Sequence, residues 1–252
     1  MELIVKKGNY LFKKPVDTPF GKVRFLTMGE HIDLEDSLNF IGLNVLHFYY
    51  TLRKNIPEKD KDALKKFEEF KTEKLLDIVY SFPEVFQSYV NVFCKVLDCN
   101  NFENDIVIEI IQDIMKSDES FLAMRKLILD MNIIKEEKVS ENEELQYWFD
   151  IDKKERLKKN KDAPELSDFV TSIVAKTNHS FAEVEEMSMY QAQATFERID
   201  AIVAYDTTTL YRSVGADVKV DSWAKKIDLF NKQDNSVIAK NDFDKLSTDI
   251  FK

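Results

Sequence analysis

The stretch from Met187 to Asp206, MSMYQAQATFERIDAIVAYD, brings together Tyr190, Glu197, Arg198 and Asp206, with Glu185 and Glu186 just before it. Paired carboxylates can divide acid and base work when burial separates their pKa values. A hydrolase or transferase with a carboxylate site near Glu185 and Asp206, assisted by Tyr190, is therefore one reading of the segment. The other is an interaction helix, since carboxylates on an acidic helical protein usually solvate an outward face. Glu197 and Arg198 are sequence neighbours and point in different directions on a helix, so each is placed to meet another helix or another chain.

The rest of the chain offers the catalytic reading little support. Neither G-x-G-x-x-G nor G-x-x-x-x-G-K-[ST] occurs, and the glycines stand singly at 8, 21, 29, 42 and 215, so the usual phosphate cradle is missing. No G-x-S-x-G elbow or Cys-Gly pattern marks a nucleophile. His31, His47 and His179 are scattered, and Cys94 and Cys99 have no histidine nearby, so no zinc spacing appears. His179 and Glu183 are four apart, but Ser180 as a helix cap leaves His179 outside the helix. His31 reads as a helix-entry residue, His47 as a member of the aromatic group HFYY, and Cys94 as a small core residue. The expectation is no catalytic residue, no metal and no cofactor.

Charge narrows the partners. With 46 acidic against 36 basic side chains and a net charge of −10, the general field repels nucleic acid and anionic membranes. No segment approaches the ~18 uninterrupted apolar residues of a membrane span, and the N-terminus carries no apolar run of signal-peptide length. Cys94 and Cys99 are poorly aimed at each other for a disulfide on a helix, which fits a reducing cytosol. Five glycines in 252 residues, against an average of roughly 7%, favour helices joined by short turns.

The elements follow from periodicity. Residues 3–27 alternate short apolar runs with Gly and Pro punctuation, which predicts two or three short antiparallel strands, a small β element over 1–28. From Ile32 the spacing turns helical: Leu38, Ile41, Leu43, Val45, Leu46, Phe48, Tyr49 and Leu52 predict one strongly apolar helix ending before Pro57. Leu64, Phe67, Leu75, Ile78 and Val79 mark a second, and Pro83 opens a third with Phe86, Tyr89, Phe93 and Val96. Phe102, Ile106, Val107, Ile110, Ile111 and Ile114 fall on one face of a fourth, and Phe121, Met124, Leu127, Ile128 and Met131 on a fifth. Residues 29–134 thus read as a bundle of about five antiparallel helices.

Residues 135–164 read as a charged linker region, its first run a linker or exposed turn and its second, DKKERLKKNKDAPE, a helix end followed by a linker that Pro164 closes, and 165–230 as a C-terminal helical subdomain. There Leu166, Phe169, Val170, Ile173 and Val174 predict a short helix. Ser180-x-x-Glu183 and Ser188-x-x-Gln191 each match a capping box. The second opens a long helix that bends near Asp206 and Thr207 to Thr209 and ends at Gly215. A last short helix places Trp223 and Ile227 inward, and 231–252 is a polar tail. The fold class is mainly α, with a small N-terminal antiparallel β element.

The order Met-Ser-x-Tyr-Gln, Phe196-Glu197-Arg198, Ala204-Tyr205-Asp206, Gly215-Ala216-Asp217 and Trp223-Ala-Lys-Lys-Ile227 resembles the C-terminal region of tail assembly chaperones, or neighbouring tail-cluster proteins, of long-tailed phages and prophages of Gram-positive bacteria. That resemblance implies a non-enzymatic protein of the host cytoplasm that binds tape-measure and tail-tube proteins through amphipathic helices. A structural tail or connector component of the virion is the alternative. The residues expected to carry binding are Tyr190, Phe196, Arg198, Ile199, Ile202, Tyr205 and Trp223, with tail proteins as partners, a homo-oligomer possible, and neither nucleic acid nor membrane involved.

Overall fold

Two capping boxes meet near the middle of the fold, and the chain is organised around them. The computed structural model describes residues 3–57, 59–98, 105–136, 139–159 and 166–230. Expectations for Phe102, Cys99, Pro164 and the tail 231–252 lie outside the described residues, as do those for the side chains of Ile106 and Val107.

The small antiparallel element expected near the N-terminus is present as two strands, while the stretch before it is helix. Lys7–Phe12 forms α1, and only Val16–Thr18 (β1) and Gly21–Val23 (β2) are strands, paired antiparallel with Val16 opposite Val23. Asn9 explains the difference. Its carboxamide accepts from the Lys6 N–H at 3.0 Å and donates to the Lys14 and Pro15 carbonyls, fixing a single helical turn where a strand turn was expected. Lys13, with φ of 53°, ends that turn.

The expected single helix over residues 32–54 is three: Met28–Asp33 (α2), Glu35–Gly42 (α3) and Val45–Arg53 (α4). Asn44 forces the second break by capping the His47 N–H at 3.2 Å, with His47 returning the bond to the Asn44 N–H. The buried Arg125 guanidinium then donates to the Ile41 and Leu43 carbonyls at 2.9 and 3.0 Å, satisfying groups that a helix end leaves open. A local cap and one distant cation outweigh the apolar period. His31 is correspondingly displaced: it lies in the last turn of α2, not at a helix entry, and burial lowers its pKa.

The larger core follows the predicted stripes. Lys61–Phe67 (α5) leads through a 3-10 turn to Leu75–Ser81 (α6), Pro83–Val96 (α7), Asp105–Ile114 (α8) and Asp118–Met131 (α9). Ile78, Val79, Tyr89, Phe93, Phe121, Met124, Leu127 and Ile128 are buried there with Phe25 and Leu26 from beyond the hairpin. Cys94 is also buried in it.

The helix end expected in the second charged run belongs to a helix that starts earlier than the charged pattern suggests. Glu143–Lys159 (α10) starts where the Asn142 carboxamide accepts from the Glu144 and Leu145 N–H groups, and its Glu, Lys and Leu content sustains it. A smaller core joins Leu166–Lys176 (α11), Phe181–Glu185 (α12) and Met189–Ser213 (α13) through Ile173, Val184, Met189 and Ala192. Met28 of α2 completes it. The chain is thus mainly helical, with thirteen α-helices and one two-stranded sheet among the described residues.

The two cores are joined at the starts of α2 and α13. Thr27 caps Glu30 and Ser188 caps Gln191, each within a full capping box. The two caps form an antiparallel bridge, and the Met28 N–H donates to the Met187 carbonyl at 2.7 Å. Gly29 permits the approach, because a Cβ there would lie 2.8 Å from the Glu185 Cγ. Arg24 holds Glu30 through two bonds of 2.6 and 2.7 Å.

Two outcomes follow for stability. Ser188→Ala removes a fully buried cap and is expected to lower unfolding free energy by about 1 to 2 kcal/mol, read as a lower urea midpoint. The second concerns acid. Burial opposes ionisation of Glu30, but the bonds from Arg24 and the Thr27 N–H outweigh it and hold its pKa below 4.5. A carboxyl depressed in the fold stabilises above its unfolded pKa and loses that contribution as pH falls through the folded value. Wild type is therefore expected to lose urea resistance below about pH 4.5 more steeply than Glu30→Gln, which starts weaker at pH 7.

Candidate protein-binding surface

Long helix α13 carries most of the residues expected to bind, and the structure divides them into two groups. Its first half is packed. Met189, Ala192, Phe196 and Ile199 recur at three and four and lie against the α11 side, with Phe196 and Phe169 rings 4.5 Å apart. Tyr190 lies on another side, 5.1 Å from the Tyr10 ring and 6.0 Å from that of Phe230. Tyr190, Phe196 and Ile199 therefore hold this chain's own elements together.

The same stripe then runs on uncovered. Spacing carries it from Ile199 through Val203 and Leu210 to Val214, yet these three are 43%, 64% and 75% exposed. Ile202 and Tyr211 flank it and are exposed too, while Tyr205 is half-buried. The helix is not interrupted at Asp206 to Thr209: it runs on to Ser213, and the Thr208 hydroxyl donates back to the Ala204 carbonyl at 2.8 Å within it. Gly215, with φ of 91°, follows its end. The uncovered stretch from Val203 to Val214 is about 16 Å long at 1.5 Å per residue.

Arg198 and Trp223 meet in an unexpected way. Residues 216–230 form no helix among the described residues; they run back along α13, where the Arg198 guanidinium donates to the carbonyls of Trp223 and Lys225. Carbonyls taken by an arginine are withheld from an intrahelical ladder. Trp223 is consequently 48% exposed and not inward, Ile227 is half-buried, and the inward anchor is Leu229 at 4%. Periodicity at Trp223 and Ile227 gave no sign of this, whereas Leu229-Phe230 could have been read as a hydrophobic anchor.

Asp206 and Tyr190 do not line the cleft that Glu185 and Glu186 line. Glu185 and Glu186 line a shallow cleft of about 410 Å³ with Lys13, Arg24, Thr27, Glu30 and Asp33. Lys13 donates to the Glu186 carbonyl at 2.6 Å. Asp206 is exposed further along α13. No group of three or more His, Cys, Asp or Glu is placed to hold a metal among the described residues, and none of the helices among them is long and apolar enough to cross a membrane. His179 lies outside α12, as its cap requires, 3.9 Å from Glu183. A second apolar patch lies on α10, where Leu145, Tyr147, Trp148 and Phe149 are all exposed.

Two family models match the chain: the YomV N-terminal domain over residues 5–141 and the YomV second domain over residues 158–228. The SPbeta prophage-derived protein YomV of Bacillus subtilis (strain 168) is 32% identical over 238 residues, covering 93% of this chain and 94% of that protein. The chain belongs to the YomV family. This membership supports a phage origin. The first matched segment holds α1 to α9, and the second takes in α11 to α13 and stops one residue before Leu229. No solved structure matches the chain.

The division of α13 has a direct mutational signature. Phe196→Ala is expected to cost about 2 to 3 kcal/mol of stability, because it empties a ring-packed site. Leu210→Ala is expected to stay within about 0.5 kcal/mol, as exposed positions do. Chemical unfolding of the two variants checks both.

Proposed function

We propose that the chain is a non-catalytic assembly factor of phage morphogenesis, of the tail-assembly-chaperone type. It works in the host cytoplasm and covers apolar surface on tape-measure or tail-tube proteins before the tube polymerises. The observation that carries this reading is the apolar stripe of α13, packed as far as Ile199 and bare from Val203 to Val214. An apolar row covered along its first half and interrupted only by Asp206 and Thr207 beyond it suits a helix-in-groove partner, which would be read through Val203, Leu210 and Val214. Exposed apolar rows of this kind mark interaction sites in soluble proteins. The acidic field, with 46 acidic against 36 basic side chains, discourages capture of nucleic acid during that work.

The binding half of the original residue set shifts accordingly. Ile202, Tyr205 and Trp223 remain candidates for contact, together with Val203, Leu210, Tyr211 and Val214. Tyr190, Phe196, Arg198 and Ile199 support the surface from within.

Co-purification with the tape-measure and tail-tube proteins of the same phage tests the proposal. The wild-type chain is expected to retain one of them, and Leu210→Glu with Val214→Glu to reduce capture about tenfold or more while the circular dichroism spectrum is unchanged. Undiminished capture by that variant would overturn the assignment of the surface. Mass spectrometry of purified particles is expected to lack the chain; its presence in stoichiometric amount would instead make it a structural tail or connector component.

A further inference from the structure

Helix α10 stands apart from both cores. None of its described side chains is buried, although a helix of its 17 residues is marginal in water without packing. It lies between the two family matches, which leave residues 142–157 to neither. One side is tied to the body. The Tyr50 hydroxyl donates to the Ser140 carbonyl at 2.7 Å, the Ser140 N–H donates to the Gln146 carboxamide at 2.9 Å, and the Tyr49 hydroxyl reaches the Glu143 carboxylate at 3.4 Å. Gln146 donates in turn to Asp150 at 2.8 Å. Glu143, Gln146 and Asp150 recur at three and four and so share the side turned to the body.

Leu145, Trp148 and Phe149 recur at the same spacing and fall almost opposite, on the side turned away. They are 39%, 39% and 44% exposed, and Asp152, half-exposed, continues their row. The helix is also divided by charge. From Glu143 to Asp152 it carries four acidic and no basic side chains, and from Lys153 to Lys159 five basic and one acidic, Glu155.

We propose that the outer face of α10, centred on Trp148 and Phe149, pairs with the same face of a second copy of this chain, the two helices antiparallel about a two-fold axis. Such an axis presents one patch to itself, so the aromatic rings at its centre meet their own counterparts. With the axis between Trp148 and Phe149, the segment from Lys153 to Lys158 of one copy runs beside that from Val139 to Glu144 of the other, which holds Glu141, Glu143 and Glu144. The basic end of each helix then meets the acidic end of the other, whereas a parallel pair would set like charges side by side. The net charge of −10 on each copy opposes association elsewhere, so this local match selects both the face and the direction. At 1.5 Å per residue the helix offers only about 25 Å of contact, which places the pair at the small end of specific interfaces, with a dissociation constant on the order of micromolar. The inference concerns a face other than the bare half of α13 and stands independently of the chaperone reading.

Sedimentation equilibrium of the full chain between about 1 and 100 μM tests it. A reversible dimer is expected, and Trp148→Glu with Phe149→Glu is expected to raise its dissociation constant about tenfold or more while the circular dichroism spectrum is unchanged. With p-benzoylphenylalanine at position 158 and a mixture of ordinary and nitrogen-15-labelled chains, hybrid adducts are expected on the peptide from Val139 to Lys153 of the other copy. A chain that stays monomeric over that range, or a dimer indifferent to the two glutamates, would overturn the proposal. Hybrid adducts joining position 158 to its own counterpart would overturn the antiparallel pairing. A monomeric wild type whose capture of a tail protein is lost in the double variant would also overturn it, by making another protein the occupant.

Discussion

The bridge between Thr27 and Ser188 is the constraint on which the rest of the structure depends. Each residue caps its own helix, and together they pair backbone to backbone, so the starts of α2 and α13 are fixed to each other by the same groups that start them. A buried hydroxyl without a partner is costly, and Ser188 is fully buried. Its bond to Gln191 is therefore both a helix start and a condition for closing the interface. Nearby tethers strengthen the joint: Lys13 to the Glu186 carbonyl, and the Gln191 carboxamide to the Leu11 carbonyl at 3.1 Å.

From that anchored start, α13 extends 25 residues. Its first turns are covered by α11 and by Met28, and the apolar side chains from Val203 to Val214 are exposed. A rigid, capped and tethered helix whose far half keeps its apolar row can present that row without paying to order it on binding. The anchoring and the exposure thus belong to one design: what fixes the helix at Ser188 is also what holds Val203, Leu210 and Val214 out from the core.

Much of this was legible in the sequence where the determinants are local. The boxes at Ser180 and Ser188, Pro83 as the first residue of α7 and the stripe of α9 appear where spacing put them. What escaped was set by contacts distant in sequence or by side chains competing with the backbone. Leu43 to Val45 continue an apolar period, yet Asn44 caps there and Arg125, far along the chain, takes the freed carbonyls. Asn9 wraps a turn of helix into a segment with strand composition. Within the candidate surface, one period ran through both halves of α13, so the sequence could not separate Phe196, which packs against Phe169 of α11, from Leu210, which is exposed. The return of residues 216–230 along α13 depends on Arg198, whose neighbour Glu197 gave no sign of it.

The central claim is that the bare half of α13 is a binding surface for another phage tail protein. Amide hydrogen exchange over Val203 to Ser213, measured in the free chain and in its complex with the tape-measure protein, tests it most directly. Covering this stretch is expected to slow exchange there about tenfold or more while Met189 to Ile199, already packed, changes little. Exchange from Val203 to Ser213 that is the same in the free chain and in the complex would contradict the claim.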